Sequence, residues 1–270
     1  MTVARIAEWA RNYNRANNTM RAHLNAVRQF LRWCDDIGHI TGHRDAPLRR
    51  LVKAYPPTYG KTEGFRPANR LTQSQYEALV AACDDGTATG LRDELLIRIG
   101  VTAGMRVSEL RTLTVGAVHR APDLAWIGKA NKARTAKAGP GLLSVIRRYL
   151  DRYEAELGPL PDQLPLFCPT IHSRRPNELR WGQPMTTNQA IRLLILRRAE
   201  TAGVGYLAPH DLKRTAARMM HEARSADGAH LFDLLDIADV LDHSNPKVTK
   251  DCYIGPLDTA NKDRAAALFG

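Results

Sequence analysis

The chain has 270 residues, enough to bury a full core as one large domain or two smaller ones. Its 39 Lys and Arg against 28 Asp and Glu give a formal net charge of +11, which points to a polyanionic partner and first to nucleic acid. The four cysteines form no C-x-x-C pair, so neither a zinc site nor a disulfide framework is indicated, and no window approaches the ~18 apolar residues of a membrane span. These features are typical of a soluble protein in a reducing cytoplasm.

The spacing of apolar residues predicts two helices near the start of the chain, over residues 3–13 and 18–37, and a shorter helix over 46–55. In the second helix apolar residues recur at spacings of four and three and form one stripe, and Gly38 is placed to cap its end. The stripe consists of Met20, Leu24, Val27, Leu31 and Cys34. Two interpretations remain for the basic residues around these helices: a solvated surface, or a face that lies on DNA phosphates.

Residues 56–70 contain three prolines and two glycines and lack periodicity, so they read as a linker. We therefore predict a helical domain over 1–60, a linker over 61–71 and a second domain over 72–270.

Cap signals and periodicity predict several helices in the second domain. Capping-box patterns at Thr72–Gln75 and Thr186–Gln189 mark two helix starts. The predicted helices cover residues 91–102, 141–157, 187–202, 209–224, 230–241 and 247–254. Short apolar runs on either side of a basic loop predict a β-hairpin over 124–136. Residues 158–185 are predicted to be loop-rich.

A break in the helical pattern places Arg106 at the start of a helix that begins at Val107. Orphan backbone N–H groups and the positive end of the helix dipole favour an anion there. Arg106 either binds such an anion or pairs with a carboxylate, and Glu109 is placed to orient its guanidinium. Lys129, at the tip of the predicted hairpin, either reaches a scissile site or is merely solvated.

Two histidines, adjacent cations and one tyrosine fall between His210 and Tyr253. Together with Arg106 and Lys129 they suit phosphoryl transfer. A tyrosine hydroxyl can attack a phosphodiester, cationic donors stabilise the charged transition state, and a lysine can protonate the leaving oxygen. No acidic metal cluster and no Walker loop is evident in the sequence, so we expect neither a metal nor ATP nor any other cofactor.

Four boxes of this sequence resemble the tyrosine recombinase (phage integrase) family in order and spacing, over about residues 72–270. They read TAGMRVSELRTL, WIGKANKAR, PHDLKRTAA and VLDHSNPKVTKDCY. The resemblance implies a mainly α-helical protein of two domains: a small core-DNA-binding domain over 1–60, and a catalytic domain with a small antiparallel β-hairpin. It further implies a minimal enzyme without an arm-site-binding domain at its N-terminus.

The family's catalytic roles carry over to matching positions. Arg106 is expected to contact the scissile phosphate, and Lys129 to protonate the 5′-hydroxyl leaving group. Tyr253 is expected to form a 3′-phosphotyrosine link. His210 would handle the tyrosine proton, and His243 would donate to the phosphate.

Two positions depart from the family pattern. Lys213 stands where the family's His-x-x-Arg motif has arginine, and a lysine lacks the bidentate fork of a guanidinium. We expect Lys213 to act as a phosphate cation, and the adjacent Arg214 to contact DNA or a carboxylate. Asp242 stands where the family usually has glycine, and it adds a negative charge beside the site.

The implied function is site-specific cutting and rejoining of DNA attachment sites by a homotetramer acting on two duplexes, together with host or phage DNA-bending proteins. The C-terminal tail over 258–269 either packs in its own subunit or is exchanged with a neighbour. The resemblance also implies that the protein acts in a bacterial cell. It further implies that a phage or other mobile element encodes the protein, and that the protein integrates the genome of that element. Contacts to DNA are expected from Arg28, Arg32, Arg49, Arg50, Lys132, Arg174, Arg175 and Arg214. Two alternatives remain: a catalytically weakened DNA-binding homologue, which Lys213 favours, and a type IB-like topoisomerase.

Overall fold

The computed structural model describes residues 2–13, 15, 17–42, 45–56, 69–128, 131–172 and 175–242. The chain divides into two compact units, Met1–Pro67 and Ala68–Gly270. The predicted domain bounds of 1–60 and 72–270 stay predictions.

The first unit is helical in its described residues, with α1 (Val3–Asn12), α2 (Asn17–Asp36) and α3 (Asp45–Lys53). Its core is formed by Ile6, Ala10, Met20, Leu24, Leu48 and Val52. The predicted apolar stripe of α2 therefore faces this core. The predicted cap is also confirmed, because Gly38 has φ +77 and the following backbone N–H, of His39, donates to the Cys34 carbonyl at 2.8 Å.

The second unit is mainly helical with two small antiparallel hairpins, which confirms the predicted fold class. Its helices are α4 (Gln73–Ala81), α5 (Ala88–Thr102), α6 (Val107–Arg111), α7 (Pro140–Leu157), α8 (Asn188–Thr201), α9 (Pro209–Glu222) and α10 (Leu234–Val240). Its strands are β1 (Asp123–Ile127), β2 (Ala133–Lys137), β3 (Thr170–His172) and β4 (Arg175–Leu179). None of the helices in the described residues is long and apolar enough to cross a membrane.

Helix α5 is the centre of the second unit and packs against α7, α8, α9 and β4. It is buried on nearly all sides, so even its polar residues lie inside and need partners. The Arg198 guanidinium of α8 contacts Asp93 and Asp85 at 2.8 Å each, and Arg92 contacts the other oxygen of Asp93 at 2.7 Å. This ionic network joins α5 to α8.

Strand pairing in the first hairpin matches the prediction: Trp126 is paired with Arg134 in the β1–β2 register. Residues 158–185 are loop-rich as predicted, but they also contain a second hairpin that the sequence analysis did not predict. Strand β3 has three residues, and β4 reads Arg-Pro-Asn-Glu-Leu. Neither has the apolar alternation that identifies a strand, and a proline is unfavourable in most strands, so the local sequence carries little strand signal.

Two predicted helix starts are also corrected. The Thr72 capping box is confirmed, but α8 begins after Thr187, whose side chain accepts the Ala190 N–H, so Thr186 is not the cap. Helix α10 begins at Leu234 rather than at residue 230. His230 instead forms an isolated bridge with Arg224, and the Asp233 carboxylate caps the helix by accepting backbone N–H groups of its first turn.

Candidate active site

Arg106 is held at the start of α6 by a carboxylate one turn further along. Its backbone N–H donates to Glu109 Oε2 at 2.9 Å, and its Nη1 donates to Glu109 Oε1 at 3.0 Å. Glu109 is buried, whereas the Arg106 side chain keeps 31% of its surface exposed. Glu109 thus orients the guanidinium, as the spacing predicts, while part of it stays accessible to an anion.

The turn that carries Arg106 is packed closely against the end of α10. Gly104 has φ +55, and a Cβ built on it would lie 2.4 Å from Leu241 Cδ2. Glycine is therefore required at this position for two reasons: the left-handed backbone conformation, and the close approach of the Leu241 side chain. The approach brings the residues that precede His243 next to the Arg106 turn.

Lys213 lies on α9, one helical turn after His210, and is 1% exposed. Its Nζ donates to the Leu241 carbonyl at 2.5 Å. Burial, followed by the positive charges of Arg106 and Arg134, lowers the pKa of Lys213 to about 8. The positive charges of Arg106 and Arg134 therefore act on the lysine, and its own charge depends on pH.

His210 is an exposed residue at the first turn of α9. Neighbouring atoms nevertheless desolvate its ring in part, and this effect, followed by the positive charges of Arg214 and Lys213, lowers the pKa of His210. The lowered pKa favours the neutral imidazole, which is the form that can accept a proton.

Asp242 is close to the cations, as its sequence position predicts. Its Oδ2 lies 3.7 Å from Arg106 Nη1. Its φ is +52, in the left-handed region that favours glycine, and aspartate is among the few other residues that adopt it readily. The backbone conformation thus explains why a glycine fits this position, and how an aspartate replaces it.

Arg134 is the residue of this site to which sequence reasoning assigned no role. It lies in β2 with a side chain that is 9% exposed, and its Nη1 is 3.7 Å from Glu109 Oε2. Glu109 therefore faces two arginines, Arg106 and Arg134. The sequence feature that could have indicated a role for Arg134 is its place near Lys129 in the WIGKANKAR box. An arginine in a short strand, however, is usually a solvated residue.

The predicted DNA contacts have different surroundings. Arg214 Nη1 donates to Asp211 Oδ1 at 2.7 Å, which is the carboxylate alternative of the prediction. In the first unit, the Arg28 guanidinium lies 3.3 Å from Asp45, and Arg49 also pairs with Asp45.

The remaining predicted DNA contacts are exposed where the structure describes them. The exposed residues are Arg32, Arg50 and Lys132. Arg175 is the first residue of β4, and its side chain falls outside the described part of the chain. Arg174 falls outside it as well.

Three predicted catalytic residues, Lys129, His243 and Tyr253, lie outside the described residues, as does the tail over 258–269. Their roles stay predictions. Among the residues that the structure describes, no three His, Cys, Asp or Glu side chains are grouped to hold a metal ion.

The described part of the site is a cluster of three cations, Arg106, Arg134 and Lys213, around the buried carboxylate of Glu109. Their side chains come from α6, β2 and α9, which are distant in sequence. Charge-assisted hydrogen bonds from a partly exposed donor such as Arg106 stabilise a phosphate and the extra charge that it gains when it is attacked. The arrangement can therefore bind an anion and support reaction at phosphorus.

Comparison with known proteins gives the family of this helical unit with its cationic cluster. Residues 69–259 match the phage integrase family. The chain belongs to this family.

Its relatives include tyrosine recombinase XerD of Xanthomonas campestris pv. campestris, which is 31% identical over 189 residues, or 67% of this chain and 53% of that protein. XerD of Neisseria meningitidis serogroup B is 28% identical over 84% of this chain and 69% of that protein. This chain thus spans about half the length of the first relative and about two-thirds of the second.

Solved structures share the fold. The XerH site-specific recombinase bound to palindromic difH substrate aligns with a TM-score of 0.66 at 18% identity, over 100% of this chain and 72% of that chain. The Tn1549 transposon integrase in complex with circular intermediate DNA aligns with a TM-score of 0.61 at 15% identity, over 99% and 85% of the two chains.

Proposed function

We propose that this protein is a site-specific DNA recombinase that cuts and rejoins duplex DNA through a 3′-phosphotyrosine at Tyr253. The observation that carries the proposal is the convergence of Arg106 and Lys213, from two separate family boxes, on Asp242 and Leu241, at the start of the box that also holds His243 and Tyr253. Membership of the phage integrase family and the names of its recombinase relatives support the same reaction.

In the proposed cleavage step the Tyr253 oxygen attacks the scissile phosphorus, and the bond from phosphorus to the 5′ oxygen breaks. The tyrosine proton passes to neutral His210, and Lys129 gives a proton to the departing 5′ oxygen. Arg106, Lys213 and His243 stabilise the negative charge on the non-bridging oxygens. The phosphotyrosine retains the energy of the broken bond, so the reverse attack by a 5′-hydroxyl rejoins DNA without ATP, and the step needs no metal.

The wider assembly is also part of the proposal. The first unit, with its basic helices, serves as a core-DNA-binding domain over about 1–60, and the second unit is the catalytic domain. The active form is a homotetramer on two attachment sites, and the lambda integrase tetramer bound to a Holliday junction, which shares the fold at a TM-score of 0.53, supports it. DNA-bending proteins assist the assembly, and the gene belongs to a phage or other mobile element that it integrates.

The test uses two stages. A random-sequence duplex library is first selected for binding to the full chain, and the selected site is then made as a suicide duplex with a nick beside the cleavage position. We expect a denaturation-resistant protein–DNA adduct with the wild type and none with Y253F. Sequence-specific binding without an adduct would reject recombination in favour of a DNA-binding homologue. An adduct that persists in Y253F would reject Tyr253 as the nucleophile.

A further inference from the structure

We propose that Arg134 is a positioning residue, which holds the β1–β2 hairpin, the element whose loop contains Lys129 in sequence, against the Arg106–Glu109 pair and the end of α10. The inference rests on the proposed function and adds to it a residue that does not itself touch the reacting atoms.

Arg134 contacts two separate parts of the site with one guanidinium. Its Nη1 lies 3.7 Å from Glu109 Oε2, and its Nη2 donates to the Val240 carbonyl at 3.2 Å. Glu109 in turn holds Arg106, and Val240 is the last residue of α10. The hairpin, the Arg106 turn and the approach to His243 are therefore joined through one side chain.

The stem of Arg134 lies directly beneath the backbone next to Lys129. A Cβ built on Gly128 would be 2.7 Å from Arg134 Cδ and 3.5 Å from Glu109 Oε1. Gly128 also closes the hairpin loop, because its N–H donates to the Lys132 carbonyl at 2.7 Å. Gly128 thus lies close to both the Arg134 side chain and Glu109, and Lys129 is the next residue along the chain.

The guanidinium is itself held in place on its own hairpin. Arg134 lies opposite Trp126 in the strand register, and its Cζ is 5.2 Å from the centre of the indole ring. This cation–π contact and a side chain that is 9% exposed restrict its rotamers. A cation that served only to attract DNA would gain nothing from such burial, since surface lysines and arginines do this without desolvation.

The geometry also explains why arginine is needed here rather than another cation. A planar guanidinium presents several N–H groups in fixed directions, so it can face Glu109 and the Val240 carbonyl at the same time. A lysine at this position would supply the charge but would reach only one of the two.

The experiment measures the rate of adduct formation with two versions of the suicide duplex, one normal and one with sulphur in place of the bridging 5′ oxygen. A thiol is far more acidic than an alcohol, so the sulphur leaves without a proton from Lys129. For R134M we expect a rate about 100-fold lower on the oxygen substrate, which is typical of a catalytic group displaced by about 1 Å. On the sulphur substrate we expect a rate close to that of the wild type.

The controls separate positioning from other roles. K129M should show the same rescue by sulphur as R134M, whereas R106M, which removes a phosphate contact, should not be rescued. K137M removes an exposed cation from the same strand and should react like the wild type on both substrates. R134K, which keeps the charge, should be slow on oxygen and rescued by sulphur, and it carries the test if R134M does not fold.

Rates of R134M and R134K that stay low on both substrates, with DNA binding intact, would overturn the inference and leave the proposed function standing. Rates equal to that of the wild type on the oxygen substrate would overturn it as well. A wild type that forms no adduct with either substrate would reject the proposed function, and the inference with it.

Discussion

The Lys213 ammonium donates to the Leu241 carbonyl at 2.5 Å, and so ties α9 to the residue that follows α10. The two residues are 28 positions apart in sequence. A charged group buried to this degree needs such partners, because a lone ammonium loses its hydration on burial. The same environment that fixes its position also lowers its pKa.

Cleavage is expected to fall as the pH rises above about 8. The pKa of Lys213 is lowered to about 8, so its positive charge is lost above that pH, and a neutral amine stabilises a phosphate poorly. The measurement is the pH profile of kcat/KM for adduct formation, which reports the pKa values of the free enzyme. In K213R the guanidinium stays charged, so the decline should move to higher pH. An unchanged alkaline decline in K213R would show that another group causes it.

Replacing Glu109 by glutamine should lower the free energy of unfolding, and it should also lower the pH at which cleavage begins to fall. E109Q leaves Arg106 and Arg134 beside an uncharged amide, with an expected cost of about 1–3 kcal/mol in the free energy of unfolding. The negative charge of Glu109 raises the pKa of Lys213, so its loss should shift the alkaline decline to lower pH. Urea denaturation and the pH profile check the two effects.

A matched control for this substitution is E156Q on α7. Glu156 forms an i,i+4 pair with Arg152 in which both side chains are well exposed. The expected change in stability is below about 0.5 kcal/mol. Equal losses in E109Q and E156Q would mean that the burial of Glu109 contributes nothing.

Substitution of Gly104 by alanine should cost more than the loss of a left-handed glycine alone. The added Cβ would meet Leu241 Cδ2 at 2.4 Å, and such overpacking typically costs about 1–3 kcal/mol. Gly203, which follows α8 with φ +66 and nothing within 4 Å, provides the comparison. We expect G203A to lose about 1 kcal/mol through backbone strain, and G104A to lose clearly more. Similar losses in the two variants would remove the close approach to α10 as a cause.

If the first unit binds DNA phosphates, its arginines should contribute unequally. The exposed Arg32 and Arg50 can each neutralise one phosphate, so R32A and R50A should each reduce the slope of log K against log salt by about one. Arg49 already pairs with Asp45, and R49A should reduce the slope less. Fluorescence anisotropy of a selected duplex over a series of salt concentrations measures these slopes. If R32A and R50A give the same salt slope as the wild type, DNA does not contact these two arginines.

Much of the fold follows from patterns of short range. The stripe of α2, the Thr72 capping box and the Gly38 cap each depend on residues within a few positions of one another, and all three are present. The support of Arg106 by Glu109 belongs to the same class, because residues three apart share one face of a helix. Local spacing alone was enough to predict these features.

Tertiary structure determined the rest. The β3–β4 hairpin lacks an alternating pattern, so its pairing was not predicted. The later start of α10 is by contrast a local effect, because Asp233 caps the helix through N–H groups two and three residues away. Arg134 and Val240 are 106 positions apart, and their contact exists only because α10 packs beside the hairpin. The sequence by itself determined the helices, their caps and the four family boxes, through residue types at fixed spacing. Only the tertiary structure decided that Lys213 is buried and that Arg134 joins the site, because burial and long-range contacts depend on how separate elements pack.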